Sequence, residues 1–203
     1  DKASVFAFAK IHNATLMIFS YFQVAEAGEY MKHLKGLIDI IGFSRGARSA
    51  YELADAGIPH TVIADNAGGL LMMRGLVDAV MVGCDRVCAN GDVVNKIGTY
   101  LKALAAKAHG IPFWVACPAS SIDMSCPSGM DVNIEERSAL ELSQIRGLPV
   151  HPQQTLRQPI LVEIMQEGQI CYNPGFDITP AALVSGLITE HALINPFKLR
   201  EAF

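Results

Sequence analysis

The stretch DAVMVGCD at 78–85, followed by GTYLKALAAKAH at 98–109 and IPFWVACP at 111–118, decides the fold. The first and last of these are strand-length, apolar and bounded by Asp, Gly or Pro, while the segment between them has helical spacing. Gly110 sits where a left-handed helix C-cap belongs, and Ile111-Pro112 opens the next strand. Strand, helix, strand in this order is a βαβ unit, and such units build parallel sheets.

The pattern extends upstream. LIDIIGF at 37–43 precedes the amphipathic ARSAYELADA at 47–56, and TVIAD at 61–65 precedes a helical segment around 69–75, with Gly57 and Gly75 at the helix ends. The strand runs are almost continuously apolar, which strands buried on both faces require. The expected fold is therefore α/β, a Rossmann-like, mostly parallel sheet with helices on both faces. Downstream the chain becomes irregular, with Pro118, Pro127, Pro149, Pro152 and Pro159. Ser138-Ala139-Leu140-Glu141 reads as a capping box opening a short helix. Thr179-Pro180 reads as an N-cap and first helical residue, which predicts a helix over 181–194. Residues 1–35 follow no clear pattern and are set apart as a divergent N-terminal segment, with 36–203 as the sheet domain.

Composition narrows the function. The chain has 203 residues, 51% of them hydrophobic and 18% charged, enough apolar material for a sizeable core and too much for a disordered chain. Sixteen Lys and Arg against twenty Asp and Glu give a net charge of -4, without the basic surface that nucleic-acid binding needs. The apolar run LMIFSYFQV at 16–24 is far shorter than the ~20 residues of a membrane span, so no membrane partner is expected. Five cysteines with no Cys-x-x-Cys suggest neither a disulfide framework nor a zinc ribbon, and a reducing cytoplasm is the simplest compartment.

Ligands of open parallel sheets bind beyond the carboxyl ends of the strands. There the sequence delivers Asp65-Asn66, then Cys84-Asp85-Arg86, then Ser120-Ser121 and Asp123. Asp85, behind four apolar residues and Gly83, is the natural general acid or base if burial raises its pKa; a salt bridge to Arg86 is the competing role. Asn95 and Lys96 precede a helix start, where free N–H groups and the helix dipole favour an anion, although a solvated lysine would leave the same trace. Asn90-Gly91-Asp92 reads as a tight turn, Asp177 as a cap or lid contact, and Met72 and Met73 as core packing. His60 and His109 read as structural surface groups. Gly-x-Gly-x-x-Gly, Walker and Gly-x-Ser-x-Gly sequences are absent, so the residues alone reach an α/β domain binding a small phosphorylated ligand.

The same residues carry a likeness. VGCDRVCANGDVVNKIGTY (82–100), IPFWVACPASSID (111–123), IEERSALEL (134–142) and NPGFDITPAALVSGLITEHALI (173–194) resemble the methylthioribose-1-phosphate isomerase family, as does GARSAYELADAGIPHTVIADNAGG (46–69). The resemblance implies an aldose–ketose isomerase of methionine salvage, active without metal or nucleotide cofactor and dimeric through this domain. It implies a cytoplasmic place, and a nuclear one too in a eukaryote. The family's catalytic Asp matches Asp85, and its substrate-holding Asn-Lys pair matches Asn95 and Lys96. Arg45 stands where the family has a substrate-contacting Gln, and is read as a further phosphate contact. The family's catalytic Cys, on a Thr-x-Cys-Asn strand end, has no counterpart, since no Cys precedes Cys84. Its N-terminal helical domain is also missing, so little or no isomerase activity is expected of this polypeptide alone. The same resemblance extends to the regulatory subunits of the exchange factor for translation initiation factor two and to ribose-1,5-bisphosphate isomerase, which supply the alternative readings.

Overall fold

The computed structural model describes residues 61–149 and 158–202, together with the backbone of two strands, β1 (Leu16–Phe19) and β2 (Ile38–Gly42). The expected helix at 47–56, His60, Arg45 and the boundary after residue 35 lie outside the described residues. The described chain falls into two compact units, one running to Asn133 and resuming at Phe176, the other Ile134–Gly175.

The first unit is built on a seven-stranded sheet. Its remaining strands are β3 (Thr61–Ile63), β4 (Ala79–Val82), β7 (Phe113–Ala116), β12 (Gly186–Ile188) and β13 (Leu193–Ile194). They lie in the order β13-β12-β7-β4-β1-β2-β3, all pairs parallel except β12 with β13. Counted along the chain, the parallel strands run 3-2-1-4-5-6, so the order reverses between β1 and β4. The α/β reading holds, with one antiparallel strand added at the edge.

Two helices were legible. α1 (Ala67–Met73) and α2 (Thr99–Ala108) end on Gly75 and Gly110, each with φ 67°. In both, the glycine N–H and the next one bond back to the last turn: Gly75 to Met72 O and Leu76 to Leu71 O, Gly110 to Lys107 O and Ile111 to Ala106 O. This paired closure turns the chain directly into β4 or β7. α2 lays Thr99, Ala103 and Ala106 onto the sheet at i, i+4 and i+7, small residues that let the backbone approach closely. Beneath it Val80, Val82, Phe113, Val115 and Leu187 form the centre of the core. Met72 belongs to this core, whereas Met73 is 62% exposed, so only one of the two methionines packs as expected.

The predicted helix over 181–194 does not form. A single 3-10 turn (Ala181–Leu183) leads into β12 and β13. Pro180 is extended (φ -59°, ψ 143°), and Thr179 ends a strand, fully buried, instead of capping a helix. The physical reason is the open edge of β7, which Gly186–Ile188 completes in parallel. Gly186 fits because a Cβ there would stand 2.6 Å from the Trp114 ring. Tertiary pairing overrides a helical local pattern.

A second, four-stranded sheet has the order β11-β6-β5-β8, formed by β5 (Arg86–Cys88), β6 (Val93–Lys96), β8 (Ile122–Asp123) and β11 (Phe176–Thr179). Three residues link the end of β4 to β5, and five link β7 to β8, so this sheet grows from the carboxyl rim of the large one.

In the second unit, α3 (Leu140–Ser143) is the short helix expected after Ser138. Ser138 Oγ accepts the Leu140 N–H, but Glu141 pairs with Arg137 instead of closing a capping box. β9 (Gln144–Gly147) and β10 (Ile160–Glu163) form an antiparallel pair. No helix among the described residues is long and apolar enough to cross a membrane.

Candidate active site

Asp85 lies three residues beyond β4, on the rim next to the point where the strand order reverses. Its N–H bonds the carbonyl of Val94 (3.0 Å), the residue that pairs with Arg86 in the β5–β6 ladder. Asp85 and Arg86 thus face one residue, the pattern of a β-bulge, which turns a side chain out of its regular direction. Arg86 does not pair with Asp85; its guanidinium reaches Asp123 at 3.1 Å, tying β5 to β8. Asp123 sits below the usual carboxylate range, chiefly through the Ser125 hydroxyl, with the Ser125 and Cys126 N–H groups and Arg86 adding to it. The expected partial burial of Asp85 is not found: it is exposed, because the bulge carries it out of the sheet instead of under it.

Asn95 and Lys96 end β6, directly after Val94, whose carbonyl holds the Asp85 N–H at the entry to β5. Strand alternation sends them to opposite faces. Asn95 is 2% exposed and donates its amide to Thr99 Oγ1 (3.0 Å), which in turn donates to Lys96 O (2.7 Å). Lys96 is half-buried. The expected anion site at the start of α2 is corrected: Asp177 Oδ2 accepts the N–H groups of Gly98 (2.7 Å) and Tyr100 (3.1 Å). Asp177 therefore acts as a cap, but of α2 and not of the helix expected after Thr179-Pro180, and it fills the place a phosphate would take. Burial holds its carboxyl above the usual range, against the pull of those N–H groups and Lys102.

Cys84, beside the candidate acid, was placed at this strand end by sequence but given no role in the site. β4 and β7 pair Val82 with Val115, so two residues further Cys84 stands beside Cys117. The hydrogen bond to Cys117, burial and the Asp85 charge push the Cys84 thiol far above its ordinary value. It is a thiol, not a thiolate, at neutral pH. Cys88 and Cys126 make a second contact, Sγ to Sγ 3.2 Å, and burial with that contact pushes Cys88 up to about 12. The signal was the two-residue offset from paired valines, readable only once the strands are known to be neighbours. All five cysteines are free thiols. Among the described residues no group of three or more His, Cys, Asp and Glu is placed to hold a metal.

The remaining acids are structural. Asp65 pairs with Lys102 at 3.0 Å. Asp92 closes the expected turn with Asn90 and also accepts the N–H groups of Gly129 and Ala181 (3.1 Å each), anchoring two loops. His109 is exposed at the end of α2.

Known proteins match this arrangement. A methylthioribose-1-phosphate isomerase of a Synechococcus strain is 51% identical over 148 residues, covering 73% of this chain and 38% of that protein. The crystal structure of 5-methylthioribose 1-phosphate isomerase from Pyrococcus horikoshii OT3 superposes with a TM-score of 0.76 at 33% identity, over 99% of this chain and 57% of that one. The translation initiation factor eIF-2B, subunit delta, from A. fulgidus superposes equally well, TM-score 0.76 at 29% identity, over 95% of this chain and 57% of that one. The chain spans about two fifths of the length of the curated relatives it matches. A family model matches residues 43–196, so strands β3 to β13 and the candidate site all lie inside it, and the chain belongs to the Initiation factor 2 subunit family.

Proposed function

We propose that this chain carries the sheet domain of a methylthioribose-1-phosphate isomerase, an enzyme of methionine salvage that converts an aldose 1-phosphate to a ketose 1-phosphate. The observation that carries the reading is the bulge at Asp85, which leaves an exposed acid on the rim beyond β4, while Lys96 ends β6, the strand that receives the Asp85 N–H. Relatives about half identical bear that name, which supports the same substrate class.

The chemistry asks for these groups. A phosphate on the anomeric carbon blocks ring opening by hemiacetal reversal. The Asp85 carboxyl donates a proton to the ring oxygen as the C1–O bond breaks, leaving C1 electron-poor. A hydride then moves from C2 to C1, and the C2 hydroxyl proton leaves as the carbonyl forms, restoring the proton given up. Lys96 offsets the phosphate charge, Asn95 holds its segment in register from the buried face, and Arg45 adds a second positive contact. The step needs no redox cofactor, since the hydride stays within the substrate.

Asp85→Asn is expected to lower turnover at least a hundredfold with substrate affinity nearly unchanged, whereas Lys96→Ala weakens affinity about tenfold or more. Calorimetry of the purified chain with methylthioribose 1-phosphate checks the affinities, and a product assay of the same substitution in the matching motif of the longer Synechococcus relative checks the turnover; unchanged turnover there would remove the reading. Ribose 1,5-bisphosphate in the same calorimeter tests the related isomerase. The similarity to the eIF-2B subunit favours a second reading as a non-catalytic regulatory subunit, in which case binding of either sugar phosphate is absent and partner subunits are required.

A homodimer in the cytoplasm, and in the nucleus of a eukaryote, completes the proposal. Leu70, Met73, Leu101 and Leu104 are exposed on α1 and α2, an apolar face suited to a second copy.

A further inference from the structure

We propose that Asp177 is the positioning residue of the candidate site, its carboxylate clamping the start of α2 to β11, the strand paired with β6, and thereby fixing where the Asn95–Lys96 segment presents its side chains. Four observations converge on it. Asp177 pairs with Asn95 across the β11–β6 ladder, so both side chains share the face on which α2 packs. Its Oδ2 holds Gly98 and Tyr100, two N–H groups that a helix start leaves unpaired. Between Lys96 and α2 the chain turns through Gly98 at φ 98°, a conformation with no side chain of its own to stabilise it. Asp177 Oδ1 is buried and has no partner among the described residues.

A buried carboxylate with one unsatisfied oxygen costs stability, and an amide oxygen could accept the same two N–H groups. What the charge adds is strength: charge-assisted hydrogen bonds are roughly twice as strong as neutral ones. A turn made of Lys96, Ile97 and Gly98 is held at its exit by this clamp and at its entry by the Asn95–Thr99–Lys96 relay. Because the carboxylate already occupies the helix end, the substrate phosphate is directed to the Lys96 side chain and not to α2.

The clamp can be tested apart from the substrate reading on which its purpose rests. Amide hydrogen exchange in the full chain is expected to be about tenfold faster at residues 95–100 in Asp177→Asn than in the wild type, with the core of β4 and β7 unchanged. Unchanged exchange at Gly98 and Tyr100 overturns the proposal. Asp177→Ala should weaken methylthioribose 1-phosphate binding about tenfold, Asp177→Asn by less, and added formate should restore the alanine variant by refilling the carboxylate position. Weakened binding that formate does not restore would reduce Asp177 to a packing residue and sink the positioning role. If no variant and no wild type binds the sugar while the exchange difference persists, the clamp stands and the substrate assignment falls.

Discussion

Asp177 carries a cost that pH makes visible. Its folded carboxyl sits above the ordinary value, so between the two the folded chain binds more protons than the unfolded one. Its contribution to stability is therefore greatest below the unfolded value and is lost as pH rises through the folded value. Urea unfolding between pH 4 and 7 is expected to show this component in the wild type and its disappearance in Asp177→Asn. Cys84 and Cys88 work the same way at the alkaline end, since both thiols are held up by burial and sulfur contacts. Thiol titration with a disulfide reagent at mildly alkaline pH is expected to modify the half-buried Cys171 well before either. At this scale the sequence names candidate residues and is a poor guide to their surroundings. Asn90-Gly91-Asp92 as a turn was legible because short polar side chains bond their own neighbourhood, whereas Asp177 caps a helix that starts far upstream in the chain, which no local pattern shows. The exposure of Asp85 was not legible either, because it depends on a bulge against a strand eight residues further on.

Among the elements, helices and buried parallel strands announced themselves, while the small sheet did not. β5 and β6 are too short to show periodicity, and the rim they form was legible only as a string of polar residues. The misread 181–194 segment shows the limit of local pattern, for a strand with a helical spacing is decided by the neighbour it joins. Glycines separate the two kinds of constraint. Gly110 has φ 67° and open space around a built Cβ, so Gly110→Ala should cost only the left-handed strain, about 1 kcal/mol. Gly91 has φ 87° and its Cβ would collide with the Pro196 carbonyl, so Gly91→Ala should cost about 3 kcal/mol or more. Denaturant midpoints of the two variants, compared at equal m-value, check the ranking; equal losses would mean that the 90–92 turn relaxes freely.

For the molecule as a whole, the 3-2-1-4-5-6 order could not be read from any one segment. Sequence gave βαβ units, and right-handed crossovers then allow few arrangements, but only the paired strands show the reversal between β1 and β4. The family likeness named candidate residues near that reversal without their geometry. Assembly belongs to this scale too. Leu101→Glu is expected to convert the proposed dimer to a monomer in sedimentation velocity while the circular dichroism of the fold is unchanged; an unaltered sedimentation coefficient would place the contact elsewhere.

The three-residue link from β4 to β5, with Asp85 as its last residue, has a mechanical result. Asp85 hangs on no arm that can swing, for Arg86 behind it is fastened to Asp123 and Gly83 before it is buried. Asp85 therefore shares the stiffness of the innermost strand, and under the proposed function a substrate must come to it. Heating should then leave its alignment intact almost until the sheet itself melts, so ligand binding at this rim and secondary structure would be lost at nearly the same temperature.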